Sequence, residues 1–192
     1  FDNSTCGFNY TADYDWTRNS GSTPTSSVGP SGDHTSGSGY YMYVKADGNN
    51  NLGPFTLLSP TFAECVGEVR FYYHMYNYFG SYSWGSSYMG TLQLEETTDG
   101  VSWATIWTKA GDQGNSWRGA TVSIATPNVI RVRWVGATGS WLMSDMAIDD
   151  VTILPSDSSG LTLTGVSPSA APSCETPTPP PPPMPAPTAA TV

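Results

Sequence analysis

Short runs of β-branched and aromatic residues recur along this chain about every ten to fifteen residues, and no stretch carries a helical period. Apolar residues never sustain the i, i+3, i+4, i+7 spacing that an amphipathic helix needs. Residues 40–44, 68–76, 91–96, 103–107, 120–124, 129–135 and 147–153 instead alternate or cluster as strands do. Thr91-Leu92-Gln93-Leu94-Glu95-Glu96 alternates cleanly, which sends Leu92 and Leu94 to one face. In 129–135, Arg131 and Arg133 fall on one face and Ile130, Val132 and Trp134 on the other. Gly, Asp, Asn and Ser fill the gaps. Thr98-Asp99-Gly100-Val101 reads as a hairpin turn, because Gly supplies a positive φ there. Strands at this spacing, without helical crossovers, pair antiparallel. The expected fold class is therefore all-β: a two-sheet antiparallel β-sandwich of the jelly-roll kind, each sheet with a core face and a wet face, followed by a proline-rich C-terminal tail.

The composition changes after Pro155. Five prolines run from Pro179 to Pro183, a segment without backbone N–H groups and with fixed φ, which favours an extended polyproline II form. It reads as a spacer or stalk rather than as a ligand for SH3 or WW domains. The expected division is a sandwich over 1–155, an extension over 156–174 and a linker over 175–192.

Charge narrows the partners. Seven Lys+Arg against sixteen Asp+Glu give a formal charge of −9. Phosphate backbones and anionic membrane surfaces recruit basic residues, so nucleic acid is excluded and so is an anionic membrane surface. Proteins, neutral glycans and divalent cations are compatible. No run of eighteen apolar residues is present to span a membrane. The cysteines Cys6, Cys65 and Cys174 form no CxxC pair and no zinc-ligand spacing. Two sequons, at Asn3 and Asn9, lie beside Cys6 and fit an oxidising, extracellular route, with Asn3 and Asn9 as glycosylation acceptors. The first residue is Phe1, which reads as a mature or excised piece.

Catalytic constellations are weak. Nucleophilic catalysis needs a hydroxyl or thiol beside a base that a third group orients. The histidines are His34 and His74, and no G-x-S-x-G elbow accompanies either. Both read as structural, His34 bonding within its loop. Adjacent carboxylates such as Glu95-Glu96 and Asp149-Asp150 point to opposite faces of a strand and do not cooperate locally. The chain is therefore expected not to be an enzyme.

Two segments remain as candidate binding sites. Calcium takes six to eight oxygen ligands. The first and last strands of a jelly roll can lie together, which would gather Asp2, Asp33 and one or both of Asp149 and Asp150. A buried carboxylate is costly unless paired, and either a cation or hydrogen bonds from His34, Thr35 or backbone amides would relieve it. Residues 76–88 interleave Tyr78, Tyr82, Trp84 and Tyr88 with Ser and Gly, the make-up of a recognition loop. Trp117 is expected to pack inward.

Seven motifs in order then carry a resemblance. They are Cys6-Gly7-Phe8, Asp13-Tyr14-Asp15-Trp16, Asp33-His34-Thr35 with Gly39-Tyr40-Tyr41-Met42, Leu58-Ser59-Pro60, Phe71-Tyr72-Tyr73-His74-Met75, Gly111-Asp112-Gln113-Gly114 with Trp117, and Asp145-Met146-Ala147-Ile148-Asp149-Asp150. On these the chain resembles the MAM domain (meprin, A5/neuropilin, receptor phosphatase mu) from Phe1 to about Ile153. The resemblance implies a jelly-roll sandwich, an extracellular adhesion or assembly module that often dimerises, and a structural Ca2+ or Na+ near the acidic cluster. It also implies a Cys65–Cys174 disulfide, worth about 2–4 kcal/mol, and a partner for Cys6 upstream of Phe1. Two functions follow as expectations. The first is a non-catalytic module that binds other extracellular proteins or itself. The second is a carbohydrate-binding appendage of a secreted hydrolase or metalloprotease, which would contact glycans.

Overall fold

From Val69 to Met75 every second side chain of the strand Val66–Met75 is apolar or aromatic, and Val69, Phe71, Tyr73 and Met75 all enter one core. That strand fixes the architecture. The computed structural model describes residues 1–10, 16–46, 53–78, 88–139 and 143–156, and every regular element among them is a strand. The expected all-β sandwich is what the molecule forms. In chain order the strands are β1 (Asn9–Tyr10), β2 (Thr17–Ser20), β3 (Tyr40–Val44), β4 (Phe55–Leu58), β5 (Val66–Met75), β6 (Thr91–Thr97), β7 (Ala104–Ala110), β8 (Arg118–Ser123), β9 (Arg131–Ala137) and β10 (Met146–Pro155).

Two five-stranded sheets result, ordered β1-β4-β9-β6-β7 and β2-β3-β10-β5-β8, and all pairings are antiparallel. The core between them holds Trp16, Phe55, Leu57, Phe71, Leu92, Leu94, Val132, Trp134 and Ile148. Leu92 and Leu94 face inward as their alternation requires, and so do Val132 and Trp134. Phe71 meets Trp134 and Trp107 edge-on, with centroids 5.4 and 5.1 Å apart, the geometry that aromatic quadrupoles prefer. Arg133, on the opposite face of β9, bonds Glu95 at 2.6 Å and lies over the Trp103 ring. The turn after β6 is built by Asp99, whose Oδ1 accepts the Val101 and Ser102 amides, with Gly100 at φ 76°.

The second sheet departs from the one-wet-face expectation. Tyr41, Tyr43 and Ala147 are buried on its outer side, with Trp117 packed against them. Trp117 therefore packs, as the sequence implies, but outside the sandwich rather than between the sheets. The cover is residues 21–39, which cross the outer face between β2 and β3. The Tyr41 hydroxyl donates to Gly21 O at 2.7 Å, and the Trp117 indole N–H donates to Gly32 O at 3.1 Å. Val28 forms an isolated bridge with Asn77 just beyond β5.

Gly90 shows how closely the backbones approach at the start of β6. A Cβ there would sit 1.7 Å from Ala137 O and 2.6 Å from Thr138 C, which are backbone atoms that cannot swing away. Gly21 has an open surround and a φ of +70°. Gly90→Ala should cost about 2–3 kcal/mol and Gly21→Ala only about 1 kcal/mol, read as shifts in urea midpoint. Equal losses would show that the β6–β9 approach relaxes freely.

Candidate functional site: an acidic loop seated on a buried outer face

The four predicted acidic residues lie at one end of the outer-face cover. Alternation along β10 sends Met146 and Ile148 into the main core and Ala147 to the outer side. Asp149 follows on that outer side and is 2% exposed. The ladder with β5 is interrupted between Asp149 and Thr152, and Asp150 adopts φ 48°. This bulge turns Asp150 toward the covering loop.

Hydrogen bonds then stitch loop to strand. The His34 backbone N–H donates to Asp149 Oδ2 at 2.9 Å, and the Asp150 N–H donates to Asp149 Oδ1 at 2.8 Å. Asp150 Oδ2 lies 2.7 Å from His34 Nδ1 and accepts the Thr35 hydroxyl at 2.6 Å. The His34 ring stacks on Tyr72, centroids 3.4 Å apart. Asp33 accepts the Ser36 amide at 2.9 Å, the Gly39 amide at 2.7 Å and the Ser36 hydroxyl. The N-terminal segment closes over this. Asp2 Oδ1 accepts the Tyr40 amide at 2.8 Å, and Arg18 donates to the Phe1 and Asp2 carbonyls.

Hydrogen bonds supply partners to the buried carboxylate. Asp149 and Asp150 are engaged by His34, Thr35 and backbone amides. His34 bonds the strand's carboxylates rather than backbone within its own loop. Among the described residues no group of three or more His, Cys, Asp or Glu side chains stands together as a metal site. Asp2 and Asp33 do converge: a Cβ on Gly39 would lie 2.3 Å from Asp2 Oδ1 and 3.0 Å from Asp33 Oδ2. Carboxylate oxygens brought together in this way are ligands that Ca2+ or Na+ takes, and Asp2, Asp33, Asp149 and Asp150 all carry hydrogen bonds as well. Thr35 gives its proton to Asp150, not to His34.

Burial raises the Asp149 carboxyl above its ordinary value, against the pull of the His34 and Asp150 amides. Burial also works on Asp33, but the Ser36, Gly39 and Thr35 bonds outweigh it and hold that carboxyl below the usual range. Two further shifts lie along the outer face. Burial pushes Asp145 up to about 6, although Ala46 donates its amide to Oδ1 at 2.8 Å. Burial pushes His74 down to about 4, partly opposed by Asn115 and Asp112.

The other predicted site residues are dispersed. Tyr78 is 55% exposed beyond β5, and Tyr88 is half-buried before β6. Tyr82 and Trp84 lie outside the described residues, as does Cys174. Asn3 and Asn9 are exposed, Asn9 on the edge strand β1. Cys6 is free and exposed. Sequence reasoning missed the outer-face cluster of Tyr41, Tyr43, Tyr72, His74 and Trp117. The signal was present in Tyr40–Val44, which is apolar or aromatic at both parities, as a strand covered on both faces must be.

This fold is shared with adhesin domains. The K2 cleaved adhesin domain of Lys-gingipain superposes with a TM-score of 0.53 at 11% identity, over 77% of this chain and 88% of that one. The family model of the MAM domain, meprin/A5/mu, matches residues 1–158. The chain belongs to the MAM family. Neuropilin-1a of Danio rerio is 33% identical over 162 residues, 80% of this chain and 16% of that protein. MAM domain-containing protein 2 of Homo sapiens is 33% identical over 138 residues, 71% of this chain and 19% of that protein. The chain thus spans less than a fifth of the length of these curated relatives.

Asp145 and His74 oppose each other in pH. The folded chain protonates Asp145 below about pH 6, whereas an unfolded Asp waits for about 3.8, so acidification from 6 to 4 stabilises through Asp145. The unfolded chain protonates His74 below about 6.5 and the folded chain only below about 4, so the same acidification destabilises through His74. Each slope is at most about 1.4 kcal/mol per pH unit. Asp145→Asn should stabilise the protein at pH 7.5 and then lose stability relative to wild type between pH 6 and 4, read by urea titrations at each pH. Parallel curves for the two proteins would contradict the burial of Asp145 as a charge.

Proposed function

We propose that this chain acts outside the cell as a non-catalytic interaction module for adhesion or assembly of surface or secreted glycoproteins, binding other extracellular proteins or a second copy of itself. The observation that carries the reading is the MAM family match, which spans the whole sandwich. The relatives include a MAM domain-containing glycosylphosphatidylinositol anchor protein of Rattus norvegicus, 31% identical over 165 residues, which agrees with a place at the cell surface. Among the described residues no helix is long and apolar enough to cross a membrane.

The same reading assigns Asp2, Asp33, Asp149 and Asp150 to a structural Ca2+ or Na+. Such an ion would tie the N-terminal segment to the covering loop through oxygen ligands. Asn3 and Asn9, both exposed, are its glycosylation sites. A Cys65–Cys174 bond would tie the extension to the sandwich, with the proline-rich segment as a stalk. The aromatic segment 76–88 supplies a contact surface, with Tyr78 at one end.

Sedimentation velocity and thermal melts of the glycosylated, non-reduced protein, with calcium or with a chelator, test the proposal. Reversible self-association, and a Tm that falls in chelator in wild type but not in Asp2→Ala, is the expected result. A strict monomer that also fails to bind cell surfaces, or hydrolytic turnover by the purified domain, would reject the module. A chelator-insensitive Tm would reject the ion, and a carboxamidomethylated Cys65 in non-reducing peptide maps would reject the disulfide.

A further inference from the structure

The covering loop does not lie flush on the outer face. Between its residues 30–37 and the turn before β8 is a cavity of about 150 Å3, lined by Ser31, Gly32, Asp33, His74, Asn115 and Trp117 among others. A second lobe of about 250 Å3, lined by Ser22, Thr25, Ser26 and Tyr76 among others, shares Pro30, Ser31 and Asn115 with the first.

The floor carries a polar atom in need of a partner. His74 is 2% exposed, lines the first lobe, and its Nδ1 is buried without a hydrogen-bond partner. Buried polar atoms are seldom left so. The ring is held edge-on to Trp117 at 5.5 Å and to Tyr76 at 6.3 Å. At neutral pH His74 is uncharged, because burial disfavours its protonated form.

The lining decides the ligand class. Neither lobe includes a lysine or arginine, and the chain is strongly acidic, so nothing there attracts a phosphate or carboxylate. The Asp33 carboxylate is already engaged by Ser36 and Gly39. What is left is a set of neutral donors and acceptors: serine and threonine hydroxyls, the Asn115 amide and one imidazole nitrogen, beside the edges of Trp117 and Tyr76. A hydroxyl both donates and accepts, so it satisfies Nδ1 in either imidazole tautomer.

We infer that this two-lobed cleft is a binding site for a neutral saccharide, with a sugar hydroxyl on His74 Nδ1, the Asn115 amide bridging the two lobes and Trp117 and Tyr76 flanking the ring. The site is distinct from the aromatic segment 76–88 beyond Tyr76, and it binds sugar whether or not the sandwich self-associates.

The test is 1H–15N NMR of the labelled chain titrated with neutral probes: glucose, galactose, mannose, xylose, N-acetylglucosamine and their short oligomers. At least one should give saturable shifts of the Trp117 indole and Asn115 amide signals. Asn115→Ala, at an exposed position, should keep the wild-type spectrum elsewhere and weaken that binding about tenfold or more. Ser31→Ala serves as a second variant with the same expectation. The absence of a saturable shift with every probe would mean that the cleft holds only water. Saturable shifts confined to Tyr78 and Tyr88 would move sugar binding to the aromatic segment, and stronger perturbation by inorganic phosphate would show an anion site. Each of these three results overturns the assignment, and none bears on self-association.

Discussion

Asp149 is a carboxylate buried on the outer side of a sheet, where water would ordinarily solvate it. Its two oxygens are met by the Asp150 amide next door and by the His34 amide, 115 residues away in sequence. Much follows from that long-range bond. It holds the covering loop against β10, which lets His34 stack on Tyr72 and places Thr35 over Asp150. Without the cover, Tyr41, Tyr43 and Ala147 would present an apolar patch to solvent. The loop is thus as much a structural layer as either sheet, although it contains no strand of its own.

The two faces of this sheet obey different rules. The inner face is an aromatic and aliphatic core. The outer face is built from hydroxyls, carboxylates, imidazoles and indole, and its groups pay desolvation for their positions. Asp145, Asp149 and His74 are all displaced from their ordinary titration ranges there by burial. Perturbed titration concentrates where function tends to reside. Here His74 lines the polar cleft, and Asp149 seats the loop that carries Asp33.

Much of the fold was legible in the sequence. Strands β3, β5, β6, β7, β8, β9 and β10 fall within a few residues of the runs read from alternation, because each packs one parity of side chains into the core. The short strands β1, β2 and β4 were not read as strands. Thr17–Ser20 and Asn9–Tyr10 carry little apolar pattern, since edge strands need bury little. The acidic residues were legible as a group but not in their roles. Strand alternation says that Asp149 and Asp150 part company; it does not say that a bulge at Asp150 aims both at one loop. The cleft was illegible because Ser31, His74, Asn115 and Trp117 come from three separate segments, and only the path of the 21–39 loop brings them together.

Amide hydrogen exchange on the loop tests the central claim most directly. If Asp149 seats the cover, the amides of His34, Ser36, Gly39 and Tyr40 should be protected well above other loop amides in the wild type. In Asp149→Ala they should exchange freely while β5 and β6 keep their protection. Rapid exchange of those four amides in the wild-type protein, or unchanged protection in the variant, would contradict the account.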